Sequence, residues 1–118
     1  MSEKTDQFVK AVYETVVQEG LHMYKEMYEE EISSSEADLY SQAIHMYQQM
    51  NAEQQRLMMH IIEVVMVDTV AHTFGVIDGT SPLTDSEIEA TVLLDGTDTD
   101  MELSDSFIGY LQDEDLYP

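Results

Sequence analysis

The chain has 118 residues, no cysteine, and 25 acidic side chains against four basic ones, a formal net charge of −21. A single domain of this length can bury a proper core, but without thiols it builds neither a disulfide framework nor a thiolate metal site. So acidic a surface repels phosphate, which argues against direct nucleic-acid binding and against docking on anionic membranes, and it attracts basic proteins.

The polar opening lacks the basic-then-apolar layout of a secretory leader. Over 6–29, Phe8, Val9, Val12, Tyr13, Val16, Val17, Leu21, Tyr24, Met27 and Tyr28 recur at steps of three and four, which predicts an amphipathic helix. Gly20 inside it costs about 1 kcal/mol relative to alanine and marks a close helix crossing or a kink. Glu29, Glu30 and Glu31 place negative charge at the helix C-terminus, where the helix dipole disfavours it. That locally costly run is a candidate partner-binding edge. Ser33 with Glu36, or Ser35 with Asp38, fits a capping box for a second helix over 36–50, with Leu39, Tyr40, Ala43, Ile44, Tyr47 and Met50 on its apolar side.

The stretch 57–74, LMMHIIEVVMVDTVAHTF, is the expected organising element. Asn51 and Gln54 stand three apart before it, as an N-cap and its reciprocal partner do, and Gly75 follows it where a left-handed C-cap residue is expected. Its apolar residues cover most of the circumference, interrupted by Arg56, His60, Glu63, Asp68 and His72. A helix apolar nearly all round is a buried one, so the others are expected to wrap it. The same interruptions leave no apolar run long enough to span a bilayer, which predicts a soluble, cytoplasmic protein.

Beyond Gly75 the pattern changes. Asp78-Gly79-Thr80-Ser81-Pro82 is turn chemistry. Over 86–94, Ile88, Ala90, Val92 and Leu94 alternate with Glu87, Glu89, Thr91 and Leu93, which predicts a strand. Asp95-Gly96 then makes a hairpin turn, and 97–103 returns as an acidic edge strand. Leu103-Ser104-Asp105 opens a short terminal helix with Phe107, Ile108, Tyr110 and Leu111 on its apolar side. The acidic tail 112–118 is expected to fray. The expected architecture is α+β, mainly α: one domain spanning 1–118, with a three-helix body over about 6–77 around a buried central helix, then a small hairpin and a short C-terminal helix over about 85–112.

Candidate chemistry is sparse. Glu19 and His22 have the Glu-x-x-His spacing of di-iron bundles, but His60 and Glu63 stand in the reverse order and the second helix offers no inward acid. His60, Asp68 and His72 are the remaining metal candidates, against the simpler reading of boundary histidines bonded to Glu63 and Asp68. The acids from Asp95 to Asp105 lack the glycine and glutamate positions of an EF-hand. No Gly-x-Ser-x-Gly elbow or phosphate loop is present. No catalytic residue and no cofactor is assigned. Met23, Met46 and Met59, off the main stripes, together with Tyr40 or Tyr47, outline an apolar contact patch within an acidic rim.

Asp68-Thr69-Val70 through Phe74-Gly75-Val76-Ile77-Asp78-Gly79, followed by a strand and by Leu103-x-Asp105-x-Phe107-Ile108, resembles small acidic bacterial α+β proteins of unassigned function, some of them immunity-protein-like. The resemblance covers the second half of the chain and rests on structural motifs. It implies an α+β fold with Gly75 as a helix cap, Asp78-Gly79 as a turn and Phe107 as the anchor of the final helix, and it implies no reaction.

The expected function is an acidic protein-binding module that engages a basic protein partner, as a toxin-immunity protein or as an inhibitor of a nucleic-acid enzyme by charge mimicry. The residues expected to carry it are Glu29, Glu30, Glu31, Asp95, Asp98, Asp100, Glu102 and Asp105. The alternatives are a small metal-binding protein or enzyme using the helix histidines and carboxylates, and a homodimer pairing through its hairpin or its Met-rich face.

Overall fold

Three helices meet around the ring of Phe107. A computed structural model describes residues 3–31 and 38–118. The first helical rod runs through α1 (Glu3–Val12), a π-helical stretch (Tyr13–Gln18) and α2 (Glu19–Tyr28). Next come α3 (Leu39–Gln49), α4 (Ala52–Asp78), the two-residue strands β1 (Leu93–Leu94) and β2 (Thr97–Asp98), and α5 (Leu103–Asp113). The core joins Val9, Tyr13 and Val17 of the rod, Val67 and Phe74 of α4, and Leu103, Phe107 and Leu111 of α5. Phe107 packs edge-on against Phe74, with ring centroids 5.5 Å apart.

The π-helical turn explains the spacing of the buried residues on the rod. Val9, Tyr13 and Val17 repeat every fourth position, a period longer than the 3.6 of an α-helix. One widened turn keeps all three on the core side. At Gly20 the rod faces α4, and a Cβ there would lie 2.9 Å from the Met66 methyl. Gly20 thus makes room for the Met66 side chain of α4.

Tyr13 and Tyr110 sit side by side at the core edge, ring centroids 5.7 Å apart. Burial first, and then the nearby Glu63 carboxylate, raises the Tyr13 phenol above its ordinary value. Tyr110 is raised as well, by burial and then by Glu14 and Glu114. A raised folded-state pKa means a contribution that is full below about pH 10 and is lost as pH rises through the folded value. Circular dichroism followed from neutral to strongly alkaline pH is expected to show unfolding beginning above about pH 10. Tyr13→Phe should move that onset upward.

α3 is held by amide side chains. Gln48 donates Nε2 to the carbonyls of Tyr28 and Glu30, at 3.0 and 2.7 Å, satisfying the last carbonyl of α2 and one just beyond it. Tyr28 and Tyr47 stack at 4.9 Å. Gln55 of α4 donates to the Tyr47 carbonyl at the end of α3. The N-cap of α3 is Asp38, whose carboxylate accepts from the Ser41 backbone N–H at 2.9 Å. That bond and a second from the Ser41 hydroxyl, at 3.1 Å, hold the Asp38 carboxyl below its ordinary value. The α3 helix thus begins later than 36; the Ser33–Glu36 and Ser35–Asp38 boxes involve residues outside those described.

α4 begins as its sequence predicts. Asn51 accepts from the Gln54 N–H at 2.8 Å and its own N–H donates to the Gln54 side chain at 3.0 Å. Its end and its surroundings differ from expectation. Gly75 is buried inside the helix, where a Cβ would run into Ser81 Oγ, and the left-handed cap is Gly79, with φ +83°. Val76, Ile77 and Asp78 add a further turn because Ile77 still reaches the core. Above all, α4 is not wrapped. Val67, Phe74, Gly75 and Asp78 are its buried residues, while Leu57, Ile61 and Val65 on the opposite side are 50, 49 and 57% exposed. The helix with a fully buried stripe is α5, through Leu103, Phe107 and Leu111. By length and composition α4 also qualifies as a membrane span, its best 18-residue window having a mean hydropathy of 1.4. Its polar breaks therefore do not exclude that on their own, contrary to the expectation above.

The β content shrinks to the hairpin tip. Leu93 pairs with Asp98 and Leu94 with Thr97, around a turn in which Asp95 and Gly96 both take positive φ, as a type I′ turn requires. The ladder continues only to Thr99, whose N–H donates to the Val92 carbonyl at 3.1 Å. The expected strand over 86–94 is otherwise irregular. Of its apolar alternates Val92 packs on the core, while Ile88 has no sheet or helix to cover it and is 77% exposed. The tail folds back instead of fraying at once, since the Leu116 N–H donates to the Leu111 carbonyl at 2.8 Å and the Leu116 side chain packs on the core.

The body is elongated, 51 × 35 × 22 Å, with a radius of gyration of 17.7 Å. A compact domain of this length has about 13–14 Å.

Candidate protein-interaction surfaces

Beyond α4 the chain encloses an acidic groove. Gly79 turns it, with the Thr80 and Ser81 N–H groups both donating to the Gly75 carbonyl, at 3.0 and 2.9 Å. The irregular 82–91, which turns at Asp85, then runs as one wall, and the residues after β2 form the other. There the Asp98 carboxylate accepts from the Asp100 N–H at 2.8 Å, and Asp100 and Met101 take left-handed backbone, uncommon outside glycine. The groove has a volume of about 690 Å³. Glu87, Glu89, Asp98 and Asp100 stand along it, with Leu83, Ile88 and Met101 as its apolar contacts. Among the described residues, no lysine, arginine or histidine lines it.

Asp78 also reaches this groove but is committed elsewhere. Its two carboxylate oxygens accept from the Leu103 and Ser104 N–H groups, at 3.2 and 2.8 Å. It thus caps α5 from 25 residues away.

Among the expected partner-binding residues, Asp98 and Asp100 belong to the groove, while Asp95 forms an ion pair with Lys4 at 3.2 Å that ties the hairpin tip to α1. Glu102 is half-buried at the N-cap of α5, and Asp105 is exposed on its first turn. Glu29, Glu30 and Glu31 are exposed at the far end of the rod. Along the helical rod from Lys4 to Glu29 they lie roughly 35 Å from the Lys4–Asp95 end. The two acidic segments are not one surface. Glu87 and Glu89 were hidden in the sequence as the outer face of a strand; their spacing on either side of Ile88 was the available signal.

The metal candidates do not converge. His60 and His72 are twelve residues apart on one helix, about 18 Å. His60 Nδ1 lies 3.5 Å from Glu63, and His22 pairs with Glu26 at 3.0 Å, not with Glu19. Among the described residues no three histidine or acidic side chains gather where an ion could be held.

A second groove, about 610 Å³, lies between α2, α3 and α4. Lys25, Arg56, His22 and His60 line it and face Glu29 and Glu63, so its charges largely balance locally. The Met and Tyr patch forms in part. Met23 and Tyr40 border one shallow groove together with Tyr24, whereas Met59 lies in the charged groove and Tyr47 is buried.

Comparison with protein-family models, with curated proteins and with solved structures finds no match to this chain.

Proposed function

We propose that the chain is an acidic, cytoplasmic protein-binding module that takes a basic segment of a partner protein into the groove between 82–91 and β2. Four carboxylates without a neighbouring cation, around a cleft with exposed Leu83, Ile88 and Met101, support this reading. Apolar contacts hold the stems of lysine or arginine side chains while the carboxylates meet their heads. The remaining surface charge steers such a partner toward the chain. Toxin immunity, or inhibition of a nucleic-acid enzyme through charge mimicry, is the sharpest form of this function.

Affinity capture from the native host at low salt tests the proposal. A basic protein held by the wild-type chain, released by added salt and lost with Glu87→Gln/Glu89→Gln/Asp98→Asn, is the expected result. A partner retained equally by that variant would contradict the assignment of the groove.

A further inference from the structure

We propose that the outward side of α4 is an interface with a second copy of this chain, forming an antiparallel helix pair. The side of α4 turned from the core carries Gln54, Met58, Ile61, Val65, Asp68 and His72. Their spacing alternates four and three, the a/d spacing of helices that pack on one another. Leu57 and Val64 flank this stripe and widen it. Leu57, Ile61 and Val65 are about half exposed in the single chain although nothing in their chemistry favours water.

Charge and the four-three spacing identify the occupant. Over 54–67, the outward positions carry no acid, in a chain with a net charge of −21. A copy of like charge can approach this strip with the least repulsion. Two parallel helices would oppose Asp68 to Asp68 in the seam, so the pair runs antiparallel, with the two-fold symmetry of most homodimers. The accessible surface is 8144 Å². A compact monomer of 13.5 kDa exposes about 6,500 Å². The difference of about 1,600 Å² is spread over the whole elongated chain, and the open side of α4 contributes to it through Leu57, Ile61 and Val65.

The sign of the salt effect separates this interface from the acidic groove. Salt screens the repulsion between two acidic bodies and so favours the dimer, whereas it weakens capture of a basic segment. Sedimentation equilibrium of the full chain tests the pairing at about 100 µM, in dilute buffer and at about 0.5 M NaCl, where the Debye length is about 4 Å. The expected result is twice the mass of the 13.5 kDa chain, more completely at high salt. Ile61→Glu/Val65→Glu should return the chain to a monomer with unchanged helical circular dichroism. Met23→Glu, at a 67% exposed residue off the stripe, should leave the dimer intact. A wild-type monomer at high salt would overturn the inference, as would a dimer that survives Ile61→Glu/Val65→Glu. Flotation of the wild-type chain with neutral phosphatidylcholine vesicles, in place of self-association, would overturn it in favour of a membrane face.

Discussion

Phe107→Ala is expected to lower the stability of the chain by about 3–5 kcal/mol, the range for removing a buried aromatic ring. Phe107 is fully buried and lies where the rod, α4 and α5 meet, in edge contact with Phe74. Its removal opens a cavity at the junction of three elements. α5 has only eleven residues and cannot shift to fill the space without giving up Leu103 and Leu111. A small domain has roughly 5–15 kcal/mol in total, so this one ring accounts for a large share of it. Chemical denaturation gives the number directly. A loss below about 1.5 kcal/mol would place the core elsewhere.

Asp78→Ala is expected to cost about 2–3 kcal/mol, more than an ordinary surface cap. Asp78 is buried, and its carboxylate takes two backbone N–H groups at the start of α5. Hydrogen bonds to a charged acceptor are stronger than neutral ones, and alanine leaves the buried Leu103 donor and the part-buried Ser104 donor without this partner. The charge also answers the positive end of the α5 dipole. Asp78→Asn keeps one oxygen acceptor and loses the charge, so it should fall between wild type and alanine. Equal losses for the two variants would show that shape, and not charge, matters at this cap.

Asp78 also shows where the sequence is silent. Read locally, an acid at the C-terminus of α4 opposes the dipole of its own helix and looks like a turn residue. Its purpose is visible only when α5 comes back beside α4. The caps legible in the chain are local ones, and Asn51 with Gln54 is a clear case because both bonds lie within four residues. Asp95-Gly96 was legible for the same reason, since its turn type depends on two residues alone. Gly75 misled because Gly79, four residues on, offers the same freedom, and Ile77 between them still has a core to reach.

The α4 helix misled for a different reason. Apolar residues all round a helix say that every side is to be covered, not that one chain covers them. Here Val67 and Phe74 meet the body while Leu57, Ile61 and Val65 remain open. In the candidate site, Asp98 and Asp100 were legible as part of an acid run. Glu87 and Glu89 were not, because alternation over 86–94 read as a strand, and a strand needs a neighbour that this chain does not supply.

The most direct test of the proposed function is a calorimetric titration, at low salt, of a short lysine- and arginine-rich peptide into two variants of equal charge. Glu87→Gln/Glu89→Gln/Asp98→Asn and Glu29→Gln/Glu30→Gln/Glu31→Gln each remove three negative charges. Three partly exposed pairs at about 0.2–1 kcal/mol each correspond to a loss of about tenfold in affinity. The predicted result is that loss in the groove variant, with nearly wild-type binding in the other. Equal weakening of both variants would mean that the peptide reads only net charge, and the groove would then have no claim to be the site.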